Sequence, residues 1–265
     1  MSYTVNCSIL LTELPLLERP AAAKAAGFDA VEFWWPFPAS TPGADEIAAF
    51  EKAITDAGVQ LTGLNFNAGD MPGGDRGLVS WPARSQEFRD NLDVVAGIGG
   101  RLGCKGFNAL YGNRVADSTP EEQDAIAVEN LVLAAEAVAP IGGTVLVEPV
   151  SGAEQYPLKT AADALAVIEK VKARGVTNIK LLADFFHLAV NGDDVAAVIE
   201  NHAADFGHIQ IADAPGRGEP GSGELPISEW IETSRNLGYT GVVGLEYKAP
   251  ADTAFDWAAA GATSK

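Results

Sequence analysis

GTVLVEPV, residues 143–150, is a short apolar run that ends on a carboxylate, Glu148, and the same arrangement returns three times downstream. NIKLLADFFH (178–187) ends its run at Asp184, GHIQIAD (207–213) carries Gln210, and GVVGLEY (241–247) closes on Glu246. Glu148 and Asp184 are 36 residues apart, Asp184 and Gln210 are 26 apart, and Gln210 and Glu246 are again 36 apart. Each interval is about one strand-plus-helix repeat. Short runs of Val, Ile and Leu bounded by turn residues read as buried strands, and a helix between two of them makes the pair parallel. Four adjacent parallel strands would bring these four side chains to one end of the sheet.

Working outward, strand-like runs alternate with Ala-rich segments of helical periodicity until the count reaches eight. Strands are expected at 4–10, 30–35, 60–66, 106–111, 144–148, 180–184, 208–212 and 242–246. The clearest helix follows STPEEQ, where Thr119 caps, Pro120 fits the first turn, Glu122 completes a capping box, and Pro140 and Gly142 end it. Thr160 and Asp163 open a second helix, closed by Arg174 and Gly175. Further helices are expected at 16–26, 44–57, 85–101, 195–201, 227–237 and, shortest, 255–260. Eight such units in 265 residues, with no linker or low-complexity tract, predict one α/β domain over 1–265, a (β/α)8 TIM barrel. The longest irregular stretches, 67–82 and 213–226, both follow strands and so belong to the catalytic mouth.

Composition narrows the function. Apolar residues make up 47% and charged residues 20%, a globular balance without a run long enough to cross a bilayer. The start MSYTVNCSILLTEL lacks a cationic segment and a small-residue cleavage site, which points to the cytoplasm. A formal charge of −18 repels nucleic acid and anionic lipid, and obliges any site for a small anion to supply its own cation. Cys7 and Cys104 lack zinc-type spacing with the three histidines and read as buried thiols.

One carboxylate at a strand end is often a helix cap or a partner for a lysine. Three carboxylates and an amide in register form an oxygen-rich set, and a bound divalent cation would hold the carboxylates charged. Mg²⁺ or Mn²⁺ suits Glu148, Asp184, Gln210 and Glu246 better than zinc, which favours nitrogen and sulfur.

The segments LVEPVS (146–151), ADFFHL (183–188), GHIQIADAPGRGEPGSGEL (207–225) and GLEYKAP (244–250), with LNFNAGDMPGGDRGL (64–78), resemble the hydroxypyruvate isomerase family of the xylose-isomerase-like TIM barrels. The stretch 207–225 is the most specific, and glutamine at 210 resembles this branch, since related sugar epimerases usually place histidine there. The resemblance implies isomerisation of a small hydroxy-oxo acid, such as hydroxypyruvate to tartronate semialdehyde, through an enediolate. It assigns acid/base work to Glu148 and Glu246, which also bind the metal, and adds Glu154 as a substrate-contacting carboxylate. A 2-oxo-tetronate isomerase is the sibling activity; a ketose 3-epimerase and a non-catalytic metabolite-binding barrel are the alternatives. The nuclease branch would need a histidine-rich zinc site and a basic track. Assembly into a homo-oligomer stays open.

Other residues read two ways. His187, in the DxxH pattern after Asp184, is either a substrate contact or a structural hydrogen-bonder. Arg217 is either a clamp for a carboxylate or enediolate oxygen or a solvated surface residue. Arg76 either closes a lid, residues 67–82, over an anionic substrate or pairs with Asp70 or Asp75 in a turn. His208 shares the face of Gln210 one layer deeper, where it either steadies a metal ligand or fills the core. Trp34 or Trp35 would wall off water from the enediolate, or pack the rim.

Overall fold

The computed structural model describes residues 3–261. Its strands are β1 (Tyr3–Asn6), β2 (Ala30–Phe33), β3 (Gln60–Asn65), β4 (Gly106–Asn108), β5 (Thr144–Val147), β6 (Ile179–Asp184), β7 (Phe206–Ile211) and β8 (Val243–Leu245). They close into a barrel in chain order, each parallel to its neighbour, with β8 pairing back onto β1. Parallel order puts every strand's C-terminal end at the same mouth, as the βα repeat requires.

Around the barrel lie α1 (Arg19–Ala25), α2 (Ala44–Ala57), α3 (Ser85–Leu102), α4 (Pro120–Val138), α5 (Ala161–Lys172), α6 (Phe185–Val190), α7 (Val195–His202), α8 (Ile227–Asn236) and α9 (Asp256–Gly261). Both expected capping boxes form. Thr119 Oγ1 accepts from Glu122 N at 3.2 Å while Thr119 N donates to Glu122 Oε2 at 2.9 Å, and Thr160 and Asp163 repeat the exchange at 3.2 and 2.8 Å. These bonds satisfy N–H groups that the helix itself leaves free. α4 ends through a 3-10 turn onto Gly142 at φ 67°, a left-handed position cheap for glycine. Among the described residues, no helix is long and apolar enough to cross a membrane.

The strands expected at 30–35 and 106–111 end early, at Phe33 and Asn108, and two further differences from expectation matter to the site. The run expected as strand 4–10 pairs only to Asn6; Ile9 N and Leu10 N then turn back onto Asn6 O at 3.3 and 3.0 Å. Leu10 is fully buried in this turn, so its apolarity serves packing rather than pairing. The apolar run through Asp184 likewise changes structure without changing hydropathy: α6 starts at Phe185, directly after β6, and was not foreseen. Cys7 and Cys104 are free and buried, and burial pushes both thiols up to about 12.

Candidate active site

Strand alternation and barrel closure carry the four expected residues to one place. Asp184 and Gln210 are directly paired across β6 and β7, Gln210 pairs with Gly244 of β8, and Glu148 and Glu246 are the first residues past β5 and β8. None of the four is more than 4% exposed. Oxygens of Glu148 and Asp184 and a ring nitrogen of His187 lie within 4.8 Å of one another.

Each side chain is held by a different device. Asp184 is the N-cap of α6: its Oδ1 accepts from Phe186 N at 2.8 Å and His187 N at 3.1 Å. Its Oδ2 is buried without a hydrogen bond. The helix-cap role and the site role therefore belong to different oxygens of one carboxylate. Glu148 Oε2 accepts from Asn108 Nδ2 at 2.6 Å, and its backbone carbonyl takes the Tyr156 hydroxyl at 2.9 Å. Gln210 donates Nε2–H to Glu32 Oε1 at 2.7 Å and leaves its buried Oε1 unpaired. Glu246 Oε1 receives Arg217 Nη2 at 2.7 Å, and its Oε2 receives Asn6 Nδ2 at 3.2 Å.

Crowding and burial raise the proton affinity of both glutamates. Burial first, then the charges of Glu246 and Asp184, drive Glu148 well above the usual carboxylate range, against the Asn108 bond and Arg217. Burial raises Glu246 to about 8, Arg217 pulling against it, Asp184 and Glu32 adding to the rise, and a Trp34 hydrogen bond opposing it. A nearby divalent cation would reverse this preference for the protonated form. The donor set fits such a cation, because Asp184 Oδ2 and Gln210 Oε1 are buried acceptors with nothing to accept, which folded proteins seldom leave so. All four candidate donors are oxygens, the set expected for Mg²⁺ or Mn²⁺.

His187 sits close enough to join that set, its Nε2 3.6 Å from Asp184 Oδ2 and 3.8 Å from Glu148 Oε1. Its other nitrogen decides its role. Ser151 N donates to Nδ1 at 3.0 Å, so Nδ1 is an acceptor and the ring proton resides on Nε2. Burial, aided by Arg217 and Arg76 against Asp184, lowers the imidazole to about 4, so it is neutral at pH 7. His187 therefore presents an N–H donor at the carboxylates rather than a lone pair to a metal.

Arg217 stands at φ 57° and lies over the Phe186 ring at 5.4 Å, its Nη2 3.9 Å from Asp184 Oδ2. Arg76 bonds the carbonyls of Met71 and Asp75 at 3.0 and 2.6 Å, not the carboxylates of Asp70 or Asp75; Arg84 takes Asp75 at 2.7 Å. Its charge nonetheless reaches His187. Glu154 is exposed on the loop between β5 and α5. His208 is buried and bonds Glu32 Oε2 at 2.7 Å, so any support it lends to Gln210 passes through Glu32. Trp34 reaches Glu246, whereas Trp35 bonds Ala39 O and packs on Phe37 at the rim.

Sequence reading missed Glu32, Asn6, Asn108 and Ser151. The available signals were faint: a lone acid inside AVEF, and amides ending YTVN and GFN at the strand ends where the other four strands carry three acids and one amide. A groove of about 710 Å³ between residues 81–84 and α4 holds none of these side chains.

The family model described as Xylose isomerase-like TIM barrel matches residues 20–263. A Streptomyces coelicolor protein, provisionally named a hydroxypyruvate isomerase, is 54% identical over 98% of this chain and 96% of its own. The 2-oxo-tetronate isomerase of Cupriavidus necator is 36% identical over 95% and 94%. Among solved structures, a Brucella melitensis protein titled AP endonuclease, family 2, superposes with a TM-score of 0.87 at 29% identity, covering 98% of each chain. The chain belongs to the hydroxypyruvate isomerase family of xylose isomerase-like TIM barrels and is an isomerase.

Proposed function

We propose that this enzyme interconverts the keto and aldehyde forms of a small hydroxy-oxo acid, hydroxypyruvate and tartronate semialdehyde, with a divalent cation held by Glu148, Asp184, Gln210 and Glu246. The observation that supports it best is the meeting, at the C-terminal ends of β5–β8, of two buried glutamates of raised proton affinity and two buried, unpaired oxygens. When bound, Mg²⁺ or Mn²⁺ would supply Lewis-acid polarisation of the substrate carbonyl. Glu148 and Glu246 act as the acid/base pair: one removes the proton from the hydroxymethyl carbon to give an enediolate, one returns a proton to the former carbonyl carbon, and the hydroxymethyl O–H proton passes to the former carbonyl oxygen as the aldehyde forms. His187, neutral with its N–H turned inward, donates a hydrogen bond to a substrate oxygen. Arg217 and Arg76 bring positive charge to a mouth that is otherwise acidic, favouring an anionic substrate. Glu154 stays a candidate substrate contact should its loop close.

The likeness to the Cupriavidus necator protein favours a second reading, the same chemistry on a four-carbon 2-oxo-tetronate. Incubation in deuterium oxide with either acid, followed by NMR, separates the outcomes. Deuterium should enter the carbon beside the carbonyl, faster with Mg²⁺ or Mn²⁺, and the larger kcat/KM identifies the substrate. A protein that exchanges no proton on either acid would be a binding barrel.

A further inference from the structure

The Gln210 amide can present either its oxygen or its nitrogen to the mouth, and only the oxygen can ligate a cation. Glu32 decides which. Its carboxylate, 3% exposed, accepts from Gln210 Nε2 at 2.7 Å, His208 Nε2 at 2.7 Å and Asn6 Nδ2 at 3.3 Å. A carboxylate only accepts, so the group facing it must be the NH₂ of Gln210, and Oε1 is left buried and unpaired. The contact is not one between neighbours. β2 and β7 are separated in the barrel by β1 and β8, and Glu32 reaches across the interior over a gap in β8. A Cβ on Gly244 would stand 2.7 Å from Glu32 Oε1, 2.8 Å from Gln210 Cγ and 3.0 Å from His208 Nε2, and one on Gly63 would stand 3.1 Å from Glu32 Cβ. Two glycines thus clear the path that the carboxylate occupies. Asn6 extends the link, because the NH₂ that donates to Glu32 also donates to Glu246 Oε2 at 3.2 Å.

We infer that Glu32 is a positioning residue: through its bond to Nε2 it fixes the Gln210 amide with the oxygen outward, and through Asn6 it ties that orientation to Glu246. The inference rests on Gln210 being a cation ligand, as proposed above. Its test uses metal-stripped full-length protein, with Mn²⁺ binding followed by electron paramagnetic resonance and side-chain amide exchange followed by NMR. In the metal-free wild type, one Gln210 Nε2 proton should exchange slowly, and Glu32→Leu should abolish that protection. Glu32→Leu should weaken Mn²⁺ binding about 10- to 100-fold, the range for loss of a partner that orients a ligand. Glu32→Gln keeps one acceptor oxygen for Gln210 and turns its NH₂ to His208, so its affinity should stay within about threefold. A folded Glu32→Leu protein with wild-type affinity overturns the inference, as does Glu32→Gln binding as weakly as Glu32→Leu. If Glu32→Leu fails to fold, the exchange rate in the wild type and Glu32→Gln decides, and solvent-rate exchange in both overturns it. A wild type that binds no Mn²⁺ sinks the cation reading instead, while the exchange measurement still rules on Glu32.

Discussion

Strands β5–β8 end on or beside Glu148, Asp184, Gln210 and Glu246, three acids and an amide, whereas β1–β4 end on or beside Asn6, Glu32, Asn65 and Asn108, three amides and one acid; all eight side chains are buried. The halves are complementary in hydrogen bonding. Asn108 donates to Glu148, Asn6 donates to Glu246, and the one acid of the first half accepts from the one amide of the second. Neutral donors can hold buried carboxylates in place without cancelling their charge, which stays available to a cation. On the proposed reading, the first half orients and the second half reacts.

Glu148→Gln and Glu246→Gln test the reacting half and should have the largest effect. Each should lower kcat by about 10³-fold or more, within the range for loss of a positioned acid or base, while the melting temperature holds or rises. Deuterium incorporation measured by NMR reads this out, and near-wild-type exchange in either variant would remove that residue from the acid/base pair.

Chelation should come next. Stripping with EDTA should cost about 100-fold in rate, restored by Mg²⁺ or Mn²⁺, as expected where a cation contributes several kcal/mol of charge stabilisation. The same cation should bind with a definite pH dependence. Glu246 holds its proton more tightly folded, to about 8, than the unfolded chain does near about 4.3, so between these values the native state carries more protons. Metal-free protein should accordingly lose stability as pH rises through that window. Cation affinity should climb over the same range, by about tenfold per unit for each proton displaced. Thermal melts with and without Mn²⁺ from pH 5 to 9 check both signs.

Arg217→Ala probes the cation that contacts Glu246 in the reacting half. It should raise KM for the oxo-acid about 10-fold or more, and because Arg217 lowers the proton affinity of Glu246, the acidic limb of kcat/KM should move to higher pH. A KM change without that shift would confine Arg217 to substrate binding. The smallest effect belongs to the orienting half: Asn108→Leu should slow turnover about tenfold by freeing Glu148, with cation affinity falling less than in Glu32→Leu. If Asn108→Leu and Glu148→Gln behaved alike, the division between halves would fail.

Much of the reacting half was legible because each acid or amide interrupts an apolar run at a spacing of one βα unit, a local anomaly that needs no knowledge of contacts. The same logic placed the capping boxes and the strand order. It stopped at α6, since LLADFFHLAV stays apolar through the change from strand to helix, and at the orienting half, since an asparagine at the end of a strand resembles any turn residue. His187 showed its pattern but not its tautomer, which Ser151, 36 positions away, sets.

Chain order, barrel class and the identity of the four convergent residues follow from the sequence by itself, because periodicity and spacing are properties of neighbours along the chain. Which oxygen of Asp184 is free, which way the Gln210 amide turns, and where Arg217 rests were decided only by the tertiary structure. The bonds responsible join Gln210 to Glu32 across 178 residues and Glu246 to Asn6 across 240. Those partners meet because β8 pairs with β1, and closing a sheet into a cylinder is a long-range event that no local pattern spells out.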